Sequence, residues 1–257
     1  MNPHYIEEIR IDKPLPRSSY LKKLPPVQSI IKAGGLSLGN DVTFFVGENG
    51  SGKSTLTEAI AVSAGFNPEG GSRNFAFSTY DSHSELSEYI TLSRGAHHRD
   101  GFFLRAESLY NAASYIEDID RIPAPLPRVI EGFGGVSLHE QSHGEGFLAV
   151  IVNRFKGNGL YILDEPEAAL SLTGVMTLMV AINDLLGKNS QFIISTHSPI
   201  LTAFPGALIY ELSGNGIKEI SYRETAGFVL TRRFLNDPEG EVRRLLNNKD
   251  QLTGRKF

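Results

Sequence analysis

The sequence predicts an α/β fold built around a largely parallel sheet, and three observations carry that prediction. From Gly144 onward the apolar runs "LYIL", "QFIIS" and "ALIYEL" alternate with stretches long enough for helices. That is the rhythm of strands joined by helical crossovers. Upstream, Val42 to Val46 runs directly into a glycine-rich loop, and then into a segment whose Leu56, Ala59, Ile60 and Ser63 recur at helical spacing. Finally, "LYIL" ends on the acids Asp164 and Glu165, a strand closed by two carboxylates.

In chain order, Tyr5 to Ile11, Val27 to Ile31 and Val42 to Val46 read as short strands between Pro/Gly/Ser-rich turns, an N-terminal antiparallel β element. Gly65 is placed to stop the helix that begins after Gly52. The region from about 66 to 142 is expected to hold strands around Phe75, Tyr89 and Phe102. It should also hold a helix from Ser108 to Asp118 and a proline-interrupted link, "RIPAPLPR". Next comes a helix with Phe147, Ile151 and Phe155 on one face, then "LYIL", a helix from Leu172 to Leu186, "QFIIS" and "ALIYEL". The tail "TRRFLNDPEGEVRRLL" reads as a solvated amphipathic end rather than a nucleic-acid arm. The expected organisation is a single domain: a core of residues 1–65 and 147–225, an inserted small helical subdomain at 66–146, and a C-terminal helical tail at 226–257.

Composition bounds the function. The chain has 257 residues, 40% of them hydrophobic and 21% charged, which suits one folded domain with a sizeable core. The net charge of −4 offers no global attraction to nucleic acid or anionic lipid. No apolar run approaches the ~20 residues that cross a bilayer. The polar N-terminus, "MNPHYIEEIRIDKP", has no apolar signal core. Zero cysteines exclude thiol catalysis, disulfides and cysteine–zinc sites, and fit a reducing cytoplasm.

"FFVGENGSGKST" sets Gly47 to Ser54 between a strand and a helix, the context that G-x-x-x-x-G-K-S/T requires. Glycines let successive backbone N–H groups curl around phosphate oxygens, and the helix N-terminus adds partial positive charge. Gly47, Asn49, Gly50, Ser51, Gly52, Lys53, Ser54 and Thr55 are therefore the expected nucleotide-binding residues. Lys53 would reach the β- and γ-phosphates, and the Ser54 hydroxyl would ligate Mg²⁺. An acid at a strand end beside such a loop holds the metal, a role for Asp164. Its neighbour Glu165 is then poised to take a proton from the attacking water. A kinase of this fold needs no second carboxylate there. His197, in "QFIISTHSP", comes one helix and one strand after Asp164, so it belongs at the same sheet edge. There a neutral imidazole would meet the γ-phosphate or the water.

The order of these motifs resembles that of the ATP-binding-cassette ATPases, which have a RecA-like P-loop sheet. Gly47 to Ser54 corresponds to Walker A, Leu160 to Glu165 to Walker B with its glutamate, Glu167 to Ser171 to the D-loop, and His197 to the switch histidine. The family's signature turn precedes a helix leading to Walker B. Here that turn is Ser142-His143-Gly144-Glu145. "SHGE" departs from the transporter consensus and is similar to the signature of soluble single-cassette ATPases of the chromosome-maintenance and DNA-repair group. The resemblance implies ATP and Mg²⁺ as ligands. It also implies an ATP-dependent head-to-tail homodimer in which Ser142, Gly144 and Glu145 of one copy seal the nucleotide of the other. The family's Q-loop glutamine has its nearest counterpart in Glu107 of "FFLRAES", a carboxylate near the metal. Tyr20 is the candidate for stacking on adenine. No heptad segment is present, so coiled-coil arms are not expected.

"HEQSHGEG" also spells the H-E-x-x-H of zinc proteases. Two histidines at i and i+4 ligate one metal only on a continuous helix, and Gly132, Gly134, Gly135, Gly144 and Gly146 surround this one. "HHRD", at 97–100, reads as an exposed turn. Three alternatives to a stand-alone ATPase remain: the ATPase subunit of a membrane transporter, an ATP-gated clamp on a nucleic acid or an unidentified protein, and a small-molecule kinase.

Overall fold

A computed structural model of the chain describes residues 4–72, 84–107, 109–122 and 127–247. Its centre is a six-stranded sheet of order β5-β6-β7-β3-β8-β9. The strands are β3 (Val42–Gly47), β5 (Asp100–Arg105), β6 (Gly159–Asp164), β7 (Gln191–Ser195), β8 (Leu208–Ser213) and β9 (Gly216–Glu219). All pair in parallel except the edge strand β9, which folds back antiparallel on β8. A second, antiparallel sheet joins β1 (Glu8–Ile11) to β2 (Leu36–Ser37) and β4 (Ile90–Ser93).

The central strands are apolar on both faces because helices cover both. Tyr161, Leu163, Phe192, Ile194, Phe102 and Leu104 point to one layer, whose helices are α3 (Leu109–Asp120), α4 (His143–Ala149) and α5 (Leu172–Leu186). Their alternates, Leu160, Ile162, Ile193 and Phe103, point to the other. That layer holds α1 (Pro25–Ala33), α2 (Lys53–Ala64) and the small sheet. A strand period of two divides one run of residues between two cores.

One buried amide ties the N-terminal segment to the central sheet. Gln191 is 0% exposed. Its Oε1 accepts the N–H groups of Tyr5 and Ile6 at 2.9 Å each, and its Nε2 donates to the carbonyls of Ile6 and Leu38 at 2.8 Å each. Gln191→Leu keeps the bulk and strands at least two buried donors. The expected loss is roughly 3–5 kcal/mol of stability, read as a lowered urea midpoint. A midpoint unchanged from the parent would show that water replaces the amide.

The expected strand at Val27 to Ile31 is instead helix α1. Pro25 and Pro26 occupy its first two positions, where a fixed φ and a missing N–H suit a helix start. Val27 and Ile30, one turn apart, are both buried, and Gly34 closes the helix in the left-handed region at φ 78°. The helix expected to carry Phe147, Ile151 and Phe155 is two pieces. α4 gives way to a π-helical turn at Val150–Arg154, and Phe155 is extended, although all three side chains reach the same core. The tail is α6 (Ala226–Asn236) and α7 (Pro238–Asn247), broken where Pro238 would continue α6. The predicted helix over Ser108 to Asp118 is α3, beginning at Leu109. Ser108, the strand around Phe75 and residues 123–126 of "RIPAPLPR" lie outside the described residues. Among the described residues, no helix is long and apolar enough to cross a membrane.

Candidate nucleotide site

β3 runs through a tight loop into α2. Gly47, Gly50 and Gly52 adopt φ values of 146°, 77° and 94°, a left-handed curl that side chains resist. Gly47 also has no room: a Cβ there would stand 2.2 Å from the Leu212 carbonyl oxygen of β8. Lys53, 4% exposed, folds back so that Nζ donates to the carbonyls of Gly47 (3.0 Å) and Glu48 (3.1 Å). Burial pulls its pKa below the usual lysine range, against the opposing pull of Glu165, Asp164 and Glu167. The Ser51 hydroxyl is buried with no hydrogen-bond partner among the described residues. An orphaned donor, a buried cation and a glycine curl fit an oxygen-rich anion such as a nucleotide phosphate.

Parallel register brings the strand ends together. Arg105 of β5 lies opposite Asp164 of β6, which lies opposite Ser195 of β7. The Ser195 hydroxyl donates to Asp164 Oδ1, and Arg105 Nε stands 3.4 Å from Asp164 Oδ2. A cavity of about 190 Å³ opens here, lined by Ser54, Glu107, Asp164, Glu165 and Arg105. These are hard oxygen donors with one cation among them. Among the described residues no three acids or histidines are grouped to hold a metal by themselves, so Mg²⁺ would fit here only with phosphate oxygens completing its shell. Thr55, next to Ser54 in the first turn of α2, is half-buried.

Among the described residues, Glu165 is one of three non-glycine residues with positive φ, at φ 49° and ψ 53°, a conformation costing about 1 kcal/mol. Its N–H is held by the Ser195 carbonyl at 3.0 Å. Its Oε1 lies 3.5 Å from His197 Nε2, and both side chains are 36% exposed. The His197 N–H donates to the Glu167 carboxylate, which fixes the loop carrying the imidazole. A second cavity, of about 520 Å³, lies beside Gly47 to Ser51 and His197 and extends to the start of α6.

Ser142, Gly144 and Glu145 border neither of these cavities. Ser142 caps α4: its hydroxyl donates to Glu145 at 2.6 Å and accepts the Glu145 N–H at 3.4 Å. The hydroxyl bond and a second one from the Ser142 N–H, at 3.0 Å to the same oxygen, hold the Glu145 carboxyl below its usual pKa range. Gly144 packs closely on the 167–171 segment of its own chain, since a Cβ there would stand 2.9 Å from the Ala169 carbonyl oxygen. His139, the first histidine of H-E-x-x-H, precedes this helix and meets the Tyr110 ring edge-on at 4.5 Å. Tyr20 is half-exposed and reaches Ser84, in a segment that returns to the phosphate loop where Pro26 approaches Gly52. Sequence reasoning passed over Arg105, Ser195 and Glu58. A basic residue ending the apolar run "FFLR" was the available signal for the first.

No protein-family model matches the chain. An uncharacterized ABC transporter ATP-binding protein of Haemophilus influenzae is 27% identical over 182 residues, spanning 65% of this chain and 68% of that protein. A solved ATP-binding cassette of an ABC transporter superposes with a TM-score of 0.50 at 16% identity, covering 91% of this chain and 96% of the other. An SMC head bound to the C-winged helix domain of ScpA gives a TM-score of 0.48 at 16% identity, over 84% and 97% of the two chains. The chain therefore has the fold of a P-loop ATP-binding cassette, and its glycine loop, strand-end acids and histidine gather at one edge of the central sheet.

Proposed function

We propose that the chain hydrolyses ATP with Mg²⁺ at two composite sites of a head-to-tail homodimer, as a soluble cytoplasmic ATPase. The observation that carries this reading is the shared 190 Å³ cavity, where Ser54, Asp164, Glu165 and Glu107 meet beside the phosphate loop. The backbone N–H groups of Gly47 to Thr55 and the Lys53 ammonium grip the β- and γ-phosphates. Ser54, Asp164 and Glu107 would hold Mg²⁺, whose charge offsets that of the phosphates as the terminal bond breaks. Glu165 takes a proton from the attacking water. His197, 3.5 Å from Glu165, faces the same phosphate and registers its departure. Ser142, the Gly144 amide and Glu145 meet the γ-phosphate held by the partner, a role comparable to an arginine finger, worth ~10³–10⁵ in rate.

Ser142→Arg tests the composite site. Residue 142 is exposed, and its cap is worth about 1 kcal/mol, so the variant should fold. It is expected to bind ATP like the parent, yet neither to dimerise in ATP on a sizing column nor to turn over. Unchanged turnover would remove the signature from the mechanism.

A second reading, favoured by the Haemophilus relative's description, makes the chain the ATPase subunit of a membrane transporter. Recovery of a membrane protein with the tagged chain, and stimulation of its ATPase by that protein, would establish it.

A further inference from the structure

Three carboxylates, Glu107, Asp164 and Glu165, line the small cavity, and Arg105 is the one cationic side chain among its described lining residues. Arg105 is anchored from behind. Its Nη1 lies 2.7 Å from Glu58 Oε2 and 3.4 Å from the Pro68 carbonyl, and the guanidinium lies 5.8 Å from the centre of the Phe103 ring. Glu58 belongs to α2, the helix that begins with Lys53 and Ser54, and its other oxygen accepts the Ser84 N–H at 2.8 Å. Arg105 thus ties the phosphate-loop helix to Asp164, one of whose oxygens faces the guanidinium while the other accepts from Ser195. Fixed planar forks of this kind hold carboxylates in a set orientation.

We propose that Arg105 is a positioning residue that sets how the site takes its divalent cation. It orients Asp164 and partly cancels its charge, so that metal enters only together with nucleotide phosphate. This rests on the reading of Asp164 as a metal-holding residue. The physical reason is direct: a fixed positive charge a few ångströms from a dication weakens binding of that dication, even in a medium of intermediate dielectric. Glu58 moderates the effect, because it draws the guanidinium back and balances part of its charge. Removing Arg105 and removing the Glu58 charge should therefore move the metal requirement in opposite directions, which simple destabilisation would not do.

The test uses the full chain and two readouts that need no turnover. One is binding of Mn²⁺ alone by electron paramagnetic resonance; the other is the Mg²⁺ concentration that half-saturates binding of the non-hydrolysable analogue AMP-PNP. The parent is expected to bind Mn²⁺ only when AMP-PNP is present. Arg105→Met should bind Mn²⁺ alone, and its half-saturating Mg²⁺ should fall about tenfold. Glu58→Gln should raise the requirement by about threefold. An unchanged or higher requirement in Arg105→Met overturns the proposal. If that variant does not fold, Glu58→Gln decides alone, and an unchanged or lower requirement there overturns it. Asp164→Asn separates the two readings. If it leaves the Mg²⁺ requirement unchanged, the metal role of Asp164 fails. If it raises the requirement while Arg105→Met behaves as the parent, only the role of Arg105 fails.

Discussion

Glu165→Gln is expected to lower ATP turnover by about three orders of magnitude while leaving ATP binding intact, the loss that follows when a positioned base can no longer accept a proton. The substitution preserves size, and glutamine reaches the same places. The left-handed backbone and the N–H bond to the Ser195 carbonyl do not depend on the carboxylate, so the loop should keep its shape. What disappears is the negative charge 3.5 Å from His197 and beside Asp164. Nucleotide that binds without being cleaved should then accumulate with its enzyme, visible as an ATP-bound dimer on a sizing column. Hydrolysis at the parental rate would show that another group activates the water.

Lys53→Met should weaken ATP binding about a hundredfold, by isothermal titration, because it removes a charge-assisted donor that no neighbouring side chain replaces. The apo protein should stay within about 1 kcal/mol of the parent in a urea melt, since hydrogen bonds lost from the carbonyls of Gly47 and Glu48 are offset by relief from burying an ammonium. The combination is diagnostic. Undiminished affinity would mean that the loop's backbone N–H groups suffice, whereas a collapsed fold would mean that the cation braces the loop rather than serving the nucleotide.

The strands that carry the chemistry were legible in the sequence because each combines an apolar run with a sharp chemical end. Val42 to Val46 ends in a glycine loop, Leu160 to Leu163 ends in acids, and "QFIIS" ends two residues before His197. Local pattern also located α5 and the Gly65 stop of α2. It failed at Val27 to Ile31, because a short apolar run has no period of its own and the decisive signal was the Pro-Pro pair before it. It also missed β2 and β9. One has two residues and the other is a polar edge strand, and both exist only through pairing with partners distant in sequence or folded back by a turn. The gap around Arg105 has the same origin. The residue means little as a letter, and acquires its role when parallel register sets it against Asp164, while α2 supplies Glu58. Ser195 is an ordinary strand serine until Asp164 lies alongside.

Gly144 sits hard against the carbonyl of Ala169, with no slack for even a methyl group. In the proposed pair, the elbow that closes over a neighbour's nucleotide is thus geared to the 167–171 segment following its own acids. Neither nucleotide could be released without disturbing the other, so the two sites would fire and reset as a linked pair rather than as independent engines.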